Sequence, residues 1–464
     1  MKCSQILNRP MNTDKDPEIR QLTQDSRQVR PGSLFFCHGV GEQANAYIEE
    51  AKAKGAVAVV SREPVEGTIF SDEPRRDYAL ACQRFWGHPQ KGLILIAVTG
   101  TNGKSSVAWQ LRHVLQHCGK ACGLIGTICS QFGEQKIPAL YTTPDAGQLY
   151  PLLAQMKAAG CTHVVLEASS QAIAQQRLAG LDFELGIFTN LSRDHLDQHG
   201  TMEEYFDVKQ SIFTQCKRGL CNYDDKYGLI LRDKLGLTSY SLYSDRADYT
   251  AYQRLSSKNG CRFCLVGQQD IARVRLDLPG DFPASNAAAV LAAAHMLGIP
   301  LQKAADALND CPTVPGRAER LRCGEIDVLI DYAHTSDGLE NIFRLAQQLE
   351  PKRIYAVFGC AGERDRGDRK AMADVVLRYA DRAVFTADNP RDEDWKQICS
   401  DVGRHEKFVY EWDRSFAIRQ ALSWCQPGDL LLLLSKGHED YQALAGRTIY
   451  FSEKEVLADL QKTH

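Results

Sequence analysis

Leu93-Ile-Leu-Ile-Ala-Val-Thr-Gly-Thr-Asn-Gly-Lys-Ser105 decides how this chain is read. Leu93 to Val98 is an apolar run without polar alternation, which predicts a parallel strand buried on both faces. Gly100 and Gly103 then make a turn, and an amphipathic stretch from Ser105 to Cys118 predicts a helix. A glycine turn between strand and helix lets backbone N–H groups approach phosphate oxygens, and the helix N-terminus favours their charge. Lys104 can reach the β- and γ-phosphates, and the Ser105 hydroxyl can bind Mg²⁺. The general phosphate loop has a glycine where this chain has Val98, so Gly100-Thr101-Asn102-Gly103-Lys104-Ser105 is a shortened form.

Outward from that segment, strand-like runs recur at Thr162 to Leu166 and Glu184 to Thr189, with helical patterns between them. The alternation predicts a doubly wound α/β sheet. Short runs broken by Gly260 and Gly267 predict an antiparallel insertion, and the alanine-rich Ala284 to Leu297 predicts a helix. Cys311-Pro-Thr-Val-Pro-Gly-Arg317 reads as an interdomain joint. Beyond it, Val328 to Asp331, Ile354 to Phe358, Ala383 to Thr386 and Asp429 to Leu434 predict a second, smaller Rossmann-like sheet. Before it all, Ser33 to Cys37 and Ala56 to Val60 predict a small α/β unit. The expectation is an α/β protein of three domains, at residues 1–91, 92–315 and 316–464.

The 464 residues carry 55 basic and 58 acidic side chains, a formal net charge of −3, which excludes bulk attraction to nucleic acid or anionic lipid. Leu430 to Leu434 is too short to cross a bilayer and the start of the chain has no apolar signal segment, so a cytoplasmic protein is expected. The 16 cysteines are expected to be reduced thiols, mostly buried. Cys261 and Cys264 have CxxC spacing without a second pair to complete a zinc site.

Other clusters carry chemistry. Glu167 ends the predicted buried strand Thr162-His-Val-Val-Leu-Glu167, which delivers a carboxylate to the C-terminal edge of the sheet, where ligands gather. His195 lies in Asn190-Leu-Ser-Arg-Asp-His195, and an imidazole beside oxygen ligands suits Mg²⁺. His195 and His199 have zinc-like spacing, but the glutamate of HExxH is missing. By its residue pattern alone, Lys209, at the end of Met202 to Lys209, is a surface lysine on a helix.

The run Gly100 to Ser105 resembles the ATP loop of the Mur ligases and of the related folylpolyglutamate synthetases, and the resemblance extends over essentially the whole chain. Through the matched residues it implies a cytoplasmic, ATP-dependent ligase that joins a carboxylate to an amine through an acyl phosphate. By resemblance, Lys104, Glu167, His195 and Lys209 are catalytic, with Lys209 carbamylated by CO₂, and Ser105, Glu167, His195 and the carbamate hold Mg²⁺. The nucleotide contacts are then Gly100 to Ser105, Asn286, Arg317, Asp331 and His334. The likeness is greatest to members that add the third amino acid to a UDP-linked muramoyl peptide. Ser26 in Asp25-Ser-Arg27, with Thr142, Thr143, Ser169, Ser170, Gln175 and Arg177, matches their acceptor site. Asp388-Asn389-Pro390-Arg391 marks those that add meso-diaminopimelate, and a guanidinium suits the distal carboxylate that lysine lacks. Arg364, Ser435 and Glu439 complete the amino-acid site. A monomer acting on three small substrates, without nucleic acid or membrane partners, is expected. Ser435 stands where the family has glycine, and Gln171 where it has histidine. Those departures keep open a paralogue that adds lysine or another amine to a related acceptor. A folylpolyglutamate-type ligase would lack the N-terminal unit and Asp388 to Arg391, and a nucleotide-binding regulator without catalysis would have lost Lys104, Glu167, His195 or Lys209.

Overall fold

The computed structural model describes residues 1–11, 16–363 and 366–463. The chain divides into two compact units, one of Met1–Thr99, Gly119–Ile187 and Val208–Gly219, the other of Gly100–Cys118, Phe188–Asp207 and Leu220–His464.

The first unit opens with four parallel strands in sequence order: β1 (Gln21–Thr23), β2 (Ser33–Cys37), β3 (Ala56–Ser61) and β4 (Ile69–Phe70). All five residues of β2 are buried. Ala44, Ile48 and Ala51, on one stripe of the helix Gly41–Ala53, join Phe35, Cys37 and Val59 in its core. The unit continues with β5 (Ile94–Thr99), β6 (Cys122–Ile125), β7 (Cys129–Phe132), β8 (Gln135–Pro138), β9 (His163–Glu167) and β10 (Phe183–Phe188), ordered β10-β5-β9-β6-β7-β8. Strand β9 lies parallel to β5 and β6, so its chain direction brings Glu167 opposite Val98, one residue before the end of β5. The antiparallel hairpin β7–β8 at the edge was not foreseen: its strands are four residues each and β8 is largely exposed, so they carry no long apolar run.

Strand β11 (Cys216–Asn222) is divided, Cys216–Gly219 in the first unit and Leu220–Asn222 in the second, which also holds β12 (Thr238–Ser241), β13 (Tyr249–Ser257), β14 (Gly260–Gly267) and β15 (Asp270–Leu276). The last three are antiparallel, as the glycine-broken runs predict. Cys261 is buried and Cys264 half-buried on β14. The alanine-rich helix Asp281–Met296 packs against Lys104–His117, the small side chains allowing close approach. A six-stranded sheet follows: β16 (Glu319–Cys323), β17 (Ile326–Ile330), β18 (Ile354–Phe358), β19 (Arg382–Thr386), β20 (Phe408–Glu411) and β21 (Leu430–Leu433), ordered β16-β17-β21-β18-β19-β20. Only β16 is antiparallel to its neighbour. Strand alternation splits its core in two: Ala356, Phe358, Phe385 and Leu432 face one layer, Tyr355, Val357, Val384, Leu431 and Leu433 the other. The leucine run is therefore the centre of a sheet covered on both faces. A short hairpin, β22 (Tyr441–Leu444) with β23 (Arg447–Tyr450), comes last. Among the described residues no helix is long and apolar enough to cross a membrane.

Candidate active site

The phosphate loop belongs to the second unit and is tightly braced. Gly100 has φ +145°, and a Cβ there would lie 1.9 Å from Thr189 Oγ1; Gly103 has φ +84°, with Asn286 Oδ1 2.6 Å from the same imagined atom. Both glycines are thus required by conformation and by space. Thr101 N donates to Asn190 O at 2.9 Å, Asn102 N to Asn190 Oδ1 at 2.9 Å, and Thr189 Oγ1 to Asn102 O at 2.6 Å. Lys104 Nζ folds back to donate to the carbonyls of Gly100 and Thr101, at 3.0 and 2.9 Å. Loop amides, a lysine and the start of a 14-residue helix make a ready anion site. Thr189 and Asn190 were not singled out from sequence; they lie ninety residues away and reach the loop only through the fold, as the separation of 88 positions between Asn102 and Asn190 shows.

The nucleotide candidates gather in the same unit. Arg317 Nη2 donates to Ser105 Oγ at 3.2 Å, and its guanidinium lies 4.4 Å over the Tyr332 ring. Asp331 accepts from the amides of Ala318 and Ala333, at 2.6 and 2.7 Å. Burial pushes its carboxyl above the ordinary value despite the opposing charge of Arg317. In this structure Asp331 clips together the two segments that carry Arg317 and His334. His334 Nδ1 lies 2.8 Å from Tyr332 O. Asn102 Nδ2 donates to Asp337 Oδ2 at 2.7 Å, a partner the sequence did not reveal. His195 adopts φ +55°, its amide and ring both engaged by Asp194, at 2.8 and 3.3 Å.

In the first unit Glu167 is buried, its Oε1 accepting from Thr127 N at 2.8 Å and its Oε2 from Thr127 Oγ1 at 2.9 Å. The acceptor candidates cluster beside it. Thr143 Oγ1 donates to Glu167 O at 2.6 Å and accepts from Ser169 N at 3.0 Å. Thr142 Oγ1 lies 3.1 Å from Thr127 Oγ1. Ser169 caps the short helix Ser170–Ala174, whose first residue is buried. Arg177 donates to Thr143 O at 2.7 Å and, by Nε and Nη2, to Gln175 Oε1. Ser26 lies elsewhere in the unit, donating to Glu50 Oε2 at 2.5 Å. Lys209, near the end of the helix Met202–Ser211, corrects the surface reading: it is 1% exposed.

The amino-acid candidates sit just past β19 and β21, on the C-terminal edge of the six-stranded sheet. Lys436, whose side chain is fully buried, lies 3.2 Å from Asp388 Oδ1, 3.1 Å from Asn389 Oδ1 and 3.1 Å from Glu439 Oε2. Burial raises the Asp388 carboxyl, but the Lys436 and Arg414 cations outweigh it and hold the group below the ordinary carboxylate range. Asn389 Nδ2 also donates to Glu439 Oε2, at 2.8 Å. Nothing in the local sequence singles out Lys436; its place as the hub of three acceptors depends on the sheet bringing the segments after β19 and β21 together. Arg391 has φ +53°, donates to Gly362 O at 3.2 Å and lies 3.9 Å from Glu363 Oε2. Ser435 has φ +81° and donates to Gly359 O at 2.7 Å. The left-handed backbone accounts for glycine at that position in the family, and the serine side chain is held by the bond to Gly359. Arg364 lies outside the described residues.

Known proteins resemble this chain over most of its length. Residues 98–294 match the Mur ligase middle domain and residues 316–437 the glutamate ligase domain of Mur ligases. The chain is 38% identical to a UDP-N-acetylmuramoyl-L-alanyl-D-glutamate–2,6-diaminopimelate ligase of Geobacillus kaustophilus (strain HTA426), over 95% of this chain and 94% of that one. A solved structure of a ligase with the same name superposes with a TM-score of 0.71 at 31% identity, covering 100% of this chain and 99% of that one. A Mycobacterium tuberculosis folylpolyglutamate synthase, complexed with ADP and AMPPCP, shares the fold at a TM-score of 0.64 and 18% identity, but covers 77% of this chain and 91% of its own. Two Mur ligase domain matches that together span more than half of the chain, with a relative 38% identical over nearly its full length, show that the chain belongs to the Mur ligase family.

Proposed function

We propose that this chain is an ATP-dependent ligase that adds meso-diaminopimelate to UDP-N-acetylmuramoyl-L-alanyl-D-glutamate in peptidoglycan precursor synthesis. The observation that carries the reading lies within the second unit: Arg317 reaches the phosphate-loop serine, while the Asp388, Asn389, Lys436 and Glu439 cluster lines the edge of the sheet that Arg317 precedes. In this reading residues 1–91 bind the UDP precursor, 92–315 ATP and 316–464 the amino acid. The enzyme works as a cytoplasmic monomer.

An acceptor carboxylate oxygen attacks the γ-phosphorus, and ADP leaves. The amine then attacks the acyl phosphate at carbon, and the tetrahedral intermediate expels phosphate, leaving the amide. Two polyanions must approach, so the ammonium of Lys104 and the loop amides neutralise the transferring phosphoryl group. By the family resemblance, Ser105, Glu167, His195 and Lys209, as a carbamate, would hold Mg²⁺, an ion that prefers hard oxygen donors. Mg²⁺, when bound, supplies further charge neutralisation. A surface lysine would be solvated and cationic, and the enclosure of Lys209 supports its modification by CO₂ to N6-carboxylysine instead. Thr142, Thr143, Ser169, Ser170, Gln175, Arg177 and, at the nucleotide end, Ser26 orient the acceptor. Asn286, Asp331 and His334 join the phosphate loop in holding ATP. Glu439, Asp388, Asn389 and Ser435 orient the incoming amine, and Arg391 with Arg364 takes its carboxylates.

A panel of amines offered with ATP, Mg²⁺ and the muramoyl dipeptide tests the reading by phosphate release. Meso-diaminopimelate is expected to exceed lysine, and Arg391→Ala to remove most of that preference. If no amine in the panel gives phosphate release, or if the variant keeps wild-type discrimination, the assignment is contradicted.

A further inference from the structure

Glu439 is held by four donors. Asn389 Nδ2 and Lys436 Nζ reach its Oε2, at 2.8 and 3.1 Å, while the hydroxyls of Tyr332 and Tyr441 reach its Oε1, at 3.1 and 3.3 Å. A carboxylate offers about four acceptor positions, so this set fixes its rotation as well as its place. Tyr332 differs from the other three donors in what its ring carries. The Arg317 guanidinium lies over it at 4.4 Å, and that same guanidinium donates to Ser105 Oγ in the phosphate loop. The rings of His334 and His438 flank it at 4.7 and 5.2 Å, leaving the phenol little freedom to turn. One rigid side chain therefore touches the phosphate-side cation with its face and the amine-side carboxylate with its hydroxyl.

We propose that Tyr332 is a positioning residue that couples the nucleotide side of the site to the amino-acid side. Its ring seats Arg317 by cation–π attraction, and its hydroxyl orients Glu439 toward the incoming amine. A shift of Arg317 toward bound phosphate moves the ring, and the ring moves Glu439. The proposal rests on the reading of Arg317 as a nucleotide contact and of Glu439 as an amine contact.

The two functions of the side chain separate by mutation. Tyr332→Phe keeps the ring and removes the hydroxyl; Tyr332→Leu removes both. Steady-state kinetics with ATP and diaminopimelate varied in turn are expected to show KM for the amino acid rising on the order of tenfold in Tyr332→Phe, the loss of one hydrogen bond to a charged group, with KM for ATP within about twofold. Tyr332→Leu should raise both constants. In a Glu439→Gln background the phenylalanine change should add less than half of its effect in the wild type, because interacting neighbours are not additive. A merely structural role would instead lower the melting temperature and leave the ratio of the two KM values unchanged. If Glu439→Gln raises KM for the amino acid while Tyr332→Phe leaves it alone, the coupling is wrong and the site reading stands. If neither Glu439→Gln nor Arg317→Lys alters any KM, the site reading has failed and the coupling with it.

Discussion

Lys209 shows how much of a site can lie beyond the reach of a residue pattern. Its helix reads as Met202-Glu-Glu-Tyr-Phe-Asp-Val-Lys209, and nothing in that pattern places the ammonium inside. Burial of a charged side chain is expensive unless the surroundings compensate for it, and at 1% exposure Lys209 is far from the solvated lysine its pattern suggests. Lys209→Ala is expected to lose at least about a hundredfold in kcat, the scale of removing one preorganised charge from a transition state. Removing bicarbonate and CO₂ should depress the wild type and leave the residual rate of the variant unchanged; equal dependence on bicarbonate in both would refute the carbamate. Glu167 was easier to find, because a carboxylate ending an apolar strand is visible in sequence. Its partner Thr127, 40 positions away, was not. Asp331 was legible as a site residue only through resemblance. The fold shows in addition a clip between two backbone segments, which no local pattern announces.

At the scale of elements, legibility followed burial. Strands β5, β9, β18 and β21 are covered on both faces and read as apolar runs, whereas β1, β4 and β8 are two to four residues long and partly exposed. The segment Gly362 to Glu363, which leads to Arg364, is held by a charge cluster that also left no periodic signal. Glu393 bonds Arg369 at 2.7 Å and accepts from Glu363 N at 2.8 Å, while Arg369 Nη2 donates to Ala361 O at 3.2 Å. The Arg369 hydrogen bond leads the causes that hold the Glu393 carboxyl down to about 2, from 4.5. A depressed folded-state value means that this contribution is complete above 4.5 and is lost as the pH falls through about 2. The melting temperature of Glu393→Gln should therefore lie below that of the wild type at neutral pH, and the gap should narrow progressively on acidification below 4.5. A gap independent of pH would show that the pair does not stabilise this segment.

For the whole molecule, composition and alternation of strands with helices were enough to foresee an α/β protein, and the curated relatives match over nearly the full length. What they could not supply was which strand ends meet. The order β17-β21-β18-β19 brings segments from residues 331, 359, 388 and 435 to one sheet edge, and that order is a property of the assembled sheet. The chemistry proposed there makes a definite claim about atoms: one oxygen of the acceptor carboxylate must leave with phosphate. The most direct measurement is a single reaction with the acceptor carboxylate enriched in ¹⁸O, followed by mass analysis of the inorganic phosphate. The account predicts phosphate carrying one ¹⁸O for each amide formed; unlabelled phosphate accompanying amide formation would contradict the acyl-phosphate route.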